Sequence, residues 1–255
     1  MVLADLPYQT TRHQWDCAIS IEPLWQEYRR IIKKNGAIVL TASQPFTTSL
    51  IVSNQSWFKY SWVWEKDIAG NFLNSKHQPL KVHEDVLVFS ASASSHSPRG
   101  SMAYYPQKFP GNPYRRSAVK KGSHHNFHIK ITNEFVSNAI VSDGKRMPRS
   151  VLRFSSERGF HPTQKPVPLF EYLILTYTNP GEVVLDNCFG SATTGVGCVN
   201  TCRRFIGVER DPHYFDVGRS RIDAAIAAAS QPAPQGGLFD DQPSADLAES
   251  TAQCP

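Results

Sequence analysis

Short apolar runs that stop at an acid, separated by helix-spaced segments, constrain this chain more than any other feature. Residues 2–4 (Val-Leu-Ala) stop at Asp5, residues 182–186 end in Asp186, and residues 204–209 end in Glu209, 23 positions beyond Asp186. A strand apolar throughout must be covered on both faces, and a parallel sheet flanked by helices achieves that. The segments between supply the helices. Residues 22–34 carry Leu24, Trp25, Tyr28, Ile31 and Ile32 at helical spacing and stop at Asn35-Gly36. Residues 166–178 open with Pro in the first turn and end at Asn179-Pro-Gly181. Residues 192–202 and 212–229 read as two more helices, and 46–55 as another. Residues 37–42 form a continuous apolar strand, 58–64 and 86–89 two further strands, and 71–81 a polar loop between those two. The class is α/β.

Charge is distributed unevenly. The chain carries +5 overall, yet the block from Arg99 to Lys165 holds 13 Lys and Arg against three acids. Tyr104, Tyr105, Phe109, Tyr114, His124, His125, Phe127 and His128 are interleaved with those charges. Cations neutralise phosphates and aromatic rings stack on bases, so the block points to a nucleic-acid partner. The candidate contacts are Arg99, Lys108, Arg115, Arg116, Lys120, Lys121, Lys145, Arg146 and Arg149. No stretch approaches the roughly 18 apolar residues of a membrane span. The first five residues have no basic lead, so no secretory signal is expected. Five scattered cysteines without a CxxC pair suit a reducing cytoplasm. No metal site is expected: Cys198 and Cys202 fit core packing better than ligation, and the three histidines read as surface or phosphate-facing groups. Trp57, Trp62 and Trp64 fit sheet packing. Residues 230–255, rich in Gln, Pro, Ala, Gly and acids, predict a disordered tail.

Three local patterns carry chemistry. After strand 182–186 comes Asn-Cys-Phe-Gly-Ser-Ala-Thr-Thr-Gly, in which Gly190 lets backbone approach a ligand closely. Ligands in open α/β sheets sit beyond the carboxyl ends of strands, and an acid ending the next strand, here Glu209, can hold ribose hydroxyls. The second pattern, Asp5-Leu6-Pro7-Tyr8, sets a carboxylate and backbone carbonyls beside an aromatic ring. Such a group accepts hydrogen bonds from an exocyclic amine while the ring stacks on the base bearing it. Drawing the amine protons away frees the nitrogen lone pair for attack. The third, His161-Pro-Thr163-Gln164-Lys165-Pro166, precedes a helix, where the backbone N–H groups and Lys165 attract a carboxylate.

In combination and in this order, these motifs resemble the permuted amino-methyltransferases that modify adenine or the cytosine amine in DNA, specifically an orphan or phage-type adenine enzyme. The resemblance covers residues 1–89 and 159–226. It implies a Rossmann-like, circularly permuted methyltransferase sheet over 1–89 and 159–229, with a target-recognition insert at 90–158. It implies S-adenosylmethionine as cofactor, double-stranded DNA as partner, base flipping and direct in-line transfer. Asp5 and Pro7, with the Leu6 carbonyl, would polarise the amine and Tyr8 would stack on the base. Asp186, Phe189, Gly190 and Ser191 would line the methionine end of the cofactor, with Thr193 and Thr194 at the helix start and Glu209 at the ribose. Thr163, Gln164 and Lys165 would border the cofactor carboxylate. Dimers are frequent in the resembling family.

Departures from the pattern bear on activity. Leu6 replaces the commoner Pro, Gln9 stands where Gly is usual, and Ala192 stands where the loop usually has Gly. The family's first strand, before the catalytic one, is missing, so weakened cofactor binding or a start further upstream is expected. Two other readings stay open: methylation of the cytosine amine, against which Asp5 argues because that branch usually has Ser there, and an impaired DNA-binding remnant. RNA or protein methylation is a further alternative, disfavoured by the basic insert. Gln235-Gly-Gly-Leu-Phe239 resembles the peptide by which replication proteins dock on the sliding clamp, though an inert tail is the more economical account.

Overall fold

The structure is a computed structural model, and it describes residues 1–8, 16–17, 19–92, 101–116 and 140–231. In chain order the elements are β1 (Val2–Ala4), α1 (Ile21–Ile31), β2 (Ile38–Ala42), α2 (Phe46–Ser53), β3 (Phe58–Gly70), β4 (Lys81–Phe89), β5 (Tyr114–Arg116), β6 (Ile140–Ser142), β7 (Val151–Arg153), α3 (Val167–Tyr177), β8 (Val183–Asp186), α4 (Thr193–Asn200), β9 (Arg204–Gly207) and α5 (Pro212–Ala229). They fall into two compact units, one of residues 1–105 with 150–255 and one of residues 106–149.

The larger unit is built on a seven-stranded sheet of order β7-β3-β4-β2-β1-β8-β9. β1 runs parallel to both β2 and β8, and β8 parallel to β9. β4 is antiparallel to β2 and to β3. Pleating divides the central strands between two cores. Val2, Ala4, Ile38, Leu40, Leu87 and Phe89 point to a face covered by Trp25 and Tyr28 of α1 and Leu50 of α2. Leu3, Val39, Val86 and Val88 point to the opposite face, covered by Leu169, Phe170, Leu173 and Ile174 of α3. This explains why β1 and β2 read as continuously apolar. Trp62 and Trp64 are buried in the second core, and the Trp62 indole donates to Tyr177 Oη at 2.7 Å.

Two strands are longer than the apolar pattern predicts. β3 continues to Gly70 and β4 starts at Lys81, where side chains are charged or exposed. Ladder hydrogen bonds persist there after the core stops, so hydrophobicity marks the buried half alone. The expected 71–81 loop contains a turn of 3-10 helix, Phe72–Asn74. β7 carries little apolar signal, having one buried residue in three, yet pairs in parallel with β3.

The second unit contains the antiparallel β5–β6 pair and a bridge between Phe109 and Arg146. Among the described residues, no helix is long and apolar enough to cross a membrane, and no group of three or more His, Cys, Asp and Glu could hold a metal ion. The Gln235–Phe239 peptide and the predicted disordered tail beyond residue 231 lie outside the described residues, as do Gln9, His124, His125 and His128.

Candidate active site

β1 is where the sheet divides. Its onward connection crosses through α1 on one face, whereas β8 continues through α4 on the other. A crevice therefore opens beyond the carboxyl ends of β1 and β8, the switch point where α/β sheets bind ligands. Asp5 and Asp186 stand at that edge. One cavity of about 560 Å³ joins the loop following each strand, within the size range of small-molecule sites.

Around Asp5 the contacts are dense. Asp5 Oδ1 accepts from Tyr8 Oη at 2.7 Å and from the Thr41 hydroxyl, and Oδ2 accepts from Lys165 Nζ at 2.6 Å. Lys165 also lies 3.4 Å from Glu84 Oε2 and over the Tyr8 ring, 5.5 Å from its centroid. Burial alone would lower the Lys165 pKa, but Asp5 and Glu84 outweigh it and raise it to about 12, so the ammonium is permanent near neutrality. Burial likewise works to raise the Glu84 pKa, and the cations of Lys165, Lys66 and Lys81 overcome it, leaving Glu84 below its usual value. Burial, then the Asp5 and Glu84 carboxylates, push the Tyr8 phenol well above its ordinary value, so it acts as a neutral donor. Phe46 at the start of α2 supports the Tyr8 ring at 5.6 Å.

The second loop is held from below. Asp186 is buried, and its carboxylate accepts from the Thr194 hydroxyl at 2.5 Å and the Cys188 N–H at 3.1 Å. Burial raises its pKa to about 7 against those two hydrogen bonds. Gly190 has φ of +52°, a conformation that favours glycine, and its N–H donates to Glu209 Oε2 at 2.8 Å. A Cβ built on Gly190 would meet nothing nearer than the His161 ring at 4.0 Å. The loop is therefore open where a ligand would lie against its backbone. The other Glu209 oxygen accepts from the Asp211 N–H at 2.8 Å, and the Cys188 thiol donates to the Asp5 carbonyl at 3.3 Å, tying the two loops together.

The cavity brings together all four residues of the first motif and all ten assigned to the cofactor. Lys165, assigned from sequence to the cofactor carboxylate, spends its charge on Asp5 and Glu84 instead. Thr163 pairs with His161 Nδ1 at 3.1 Å, and the Thr193 hydroxyl donates to the Lys165 carbonyl at 3.1 Å. Sequence reasoning missed Glu84, Thr41 and Tyr28, whose hydroxyl donates to Asn187 at 2.6 Å. Glu84 sits in the charged half of β4, where no apolar pattern marks it; Thr41 and Tyr28 look like ordinary strand and helix residues.

Of the basic residues proposed for DNA, Lys108, Arg115, Lys145 and Arg149 are exposed. Arg146 is half-buried: its guanidinium stacks 4.7 Å from the Tyr114 ring centroid and donates to Ser142 Oγ at 3.1 Å and the Asn112 carbonyl, so it braces the β5–β6 pair. Arg99, Lys120 and Lys121 lie outside the described residues, and so does the side chain of Arg116.

Comparison with known proteins bears on this geometry. A family model described as DNA methylase matches residues 1–220. The DNA adenine methyltransferase YhdJ of Escherichia coli is 27% identical over 241 residues, 88% of this chain and 76% of that protein. The type II methyltransferase M2.DpnII of Streptococcus pneumoniae is 32% identical over 133 residues, half of this chain and 47% of that protein. Among solved structures, the M1.HpyAVI complex with S-adenosylmethionine superposes with TM-score 0.55 at 22% identity, covering 86% of this chain and 87% of that one. The cytosine-N4-specific PvuII DNA methyltransferase superposes with TM-score 0.58 at 13% identity, covering 86% and 78%. The fold is thus that of the Rossmann-like methyltransferases.

Proposed function

This chain belongs to the DNA methylase family, and from that premise we propose that it methylates the N6 amine of adenine in duplex DNA, on a base flipped out of the helix. The observation that carries the reading is the single cavity shared by the Asp5–Tyr8 loop and the Gly190 loop. The methyl donor of the family is S-adenosylmethionine, and the residues present fit it. Gly190 leaves backbone accessible, and Glu209 retains acceptor capacity for ribose hydroxyls beyond its two backbone partners. Phe189, Ser191, Thr193 and Thr194 complete the wall, and Thr163 and Gln164 border it. Bound there, the donor supplies an electrophilic methyl group.

The chain's own part is to prepare the amine. A carboxylate has about four acceptor positions, and Tyr8, Thr41 and Lys165 occupy three on Asp5. One remains for an amine N–H. The Leu6 and Pro7 carbonyls supply further acceptors, and Pro7, lacking an N–H, offers no competing donor. With both protons drawn to fixed acceptors, the nitrogen turns its lone pair outward. Such preorganised positioning is the main catalytic resource of a direct transfer. Permuted motif order and a DNA-reading role for residues 90–158 belong to the same proposal.

Adenine is favoured over cytosine by Asp5 itself and by the adenine specificity in the name of the E. coli relative. The test is incubation of the whole chain with unmethylated duplex DNA and methyl-labelled S-adenosylmethionine, followed by digestion to nucleosides. Label in N6-methyladenine is expected. Label in N4-methylcytosine would reassign the base. DNA binding with no label would make the chain an inactive remnant.

A further inference from the structure

We propose that the β3–β4 hairpin tip, with Phe72 and Leu73 at its apex, is a wedge that enters the DNA stack and occupies the gap left by the flipped base. The inference rests on the reading above. It starts from strand lengths. Asp85 pairs with Ala42 at the end of β2 and with Val63 of β3, which places that rung at the carboxyl edge of the sheet. The hairpin does not stop there. β4 extends four more residues to Lys81, which pairs with Gly70, so the ribbon projects about 13 Å past the edge at 3.3 Å per residue. β3 runs parallel to β2 and hence to β1, so the projection is on the side where Asp5 emerges. Lys81 and Glu84, on the projecting strand, both line the cavity. The tip therefore stands at the mouth of the pocket.

Its chemistry suits a base stack. Phe72 is 75% exposed and Leu73 94%, the two most exposed large apolar side chains of the described residues. The turn presenting them is organised from within. Asn71 adopts a left-handed φ of 66°, the Asn74 amide donates to the Asn71 side chain at 2.6 Å, and the backbone N–H groups of Asn74, Ser75 and His77 close successive turns. From Ile68 to His83 there is no acid, and Lys76, His77, Lys81 and His83 accompany the apolar pair. An apolar apex on a tip that is basic and acid-free from Ile68 to His83 matches a duplex better than a protein surface. Proteins that unstack DNA commonly insert Phe or Leu between base steps, and a flipped base costs stacking energy that a filler recovers.

The test uses the whole chain carrying Phe72→Ala and Leu73→Ala, both on the surface and outside the cavity. Once the methylated site is located, two oligonucleotide duplexes containing it are compared, one fully paired and one with an abasic position opposite the target. The wedge predicts at least a tenfold fall in kcat/KM on the paired duplex, less than a twofold fall on the abasic one, and unchanged affinity for S-adenosylmethionine. It also predicts loss of the fluorescence rise of 2-aminopurine placed at the target. Equal losses on both duplexes, no loss on either, or losses accompanied by a change from dimer to monomer in sedimentation would overturn it. A wild-type chain that methylates neither duplex would instead refute the parent reading, and the wedge with it.

Discussion

Lys165 Nζ and Asp5 Oδ2, 160 positions apart in the chain, are 2.6 Å apart in the fold, with Lys165 only 5% exposed. Replacing Lys165 with Met would leave Asp5 without its cation and Glu84 with Lys66 and Lys81 nearby. Removing one member of a buried pair typically costs about 3 kcal/mol or more, because the remaining charge stays desolvated. Urea unfolding of K165M should show a lowered midpoint, and methyl transfer should fall well beyond the loss in folded fraction. Lys165→Arg should not rescue transfer fully, since a planar guanidinium does not match a site built around an ammonium. The folded-state pKa of Lys165 is raised, so its stabilisation is complete below the ordinary lysine value and disappears as pH rises through about 12. Between pH 6 and 9 this pair should add no slope to stability.

Asp186 behaves in the opposite sense. Burial raises its folded-state pKa to about 7, above the ordinary carboxylate value. The native state then binds more protons than the unfolded state between about pH 4 and 7, so stability declines as pH rises through that window and is level above it. An Asp186→Asn variant, which keeps the size and one acceptor for Thr194 or Cys188, should have a flatter profile. Thermal unfolding of both proteins from pH 5 to 8 measures this; parallel curves would show that the folded-state pKa of Asp186 is not raised into that range.

Glu209 offers a binding test separate from stability. Its two oxygens organise the Gly190 and Asp211 N–H groups at the rim of the cavity. Glu209→Gln keeps one acceptor oxygen but loses the charge that favours ribose hydroxyl donors, and charge-assisted hydrogen bonds are roughly twice as strong as neutral ones. Calorimetry should show S-adenosylmethionine affinity reduced about tenfold, with the unfolding midpoint nearly unchanged. An unaltered affinity would remove Glu209 from the proposed cofactor site.

The sequence made β1 and β2 legible because both are buried on both faces: Ile38–Ala42 is inaccessible along its whole length. Asp5, Asp186 and Glu209 were legible because each stops an apolar run, and strand ends determine where a parallel sheet binds. Glu84 was not, because its importance comes from the cross-strand register that sets it beside Lys165, and register leaves no mark in a charged segment. The hairpin extension was hidden for the same reason. The resemblance put Lys165 at the right edge of the sheet, but motif order cannot tell which of two carboxyl groups a lysine faces.

The departure at Ala192 has a structural counterpart. Ala192 is fully buried with φ of 59°, where a side chain costs about 1–2 kcal/mol. Its methyl is accommodated because Gly218 of α5 stands opposite: a Cβ on Gly218 would lie 2.9 Å from the Ala192 Cβ and 2.7 Å from the Phe189 ring. Gly218→Ala should therefore overpack the interface between α5 and the cofactor loop, costing about 1–3 kcal/mol. Ala192→Gly removes the strained φ but also a buried methyl worth about 0.8 kcal/mol, and it frees the unfolded chain by a further 0.4–1 kcal/mol or about that. These effects nearly cancel, so the single variant should unfold close to wild type. In the double variant one of the two clashes at residue 218 is gone, and the Gly218→Ala penalty should shrink by about 1 kcal/mol. Urea unfolding of the four proteins completes the cycle, and strictly additive values would show that the two residues do not share this contact.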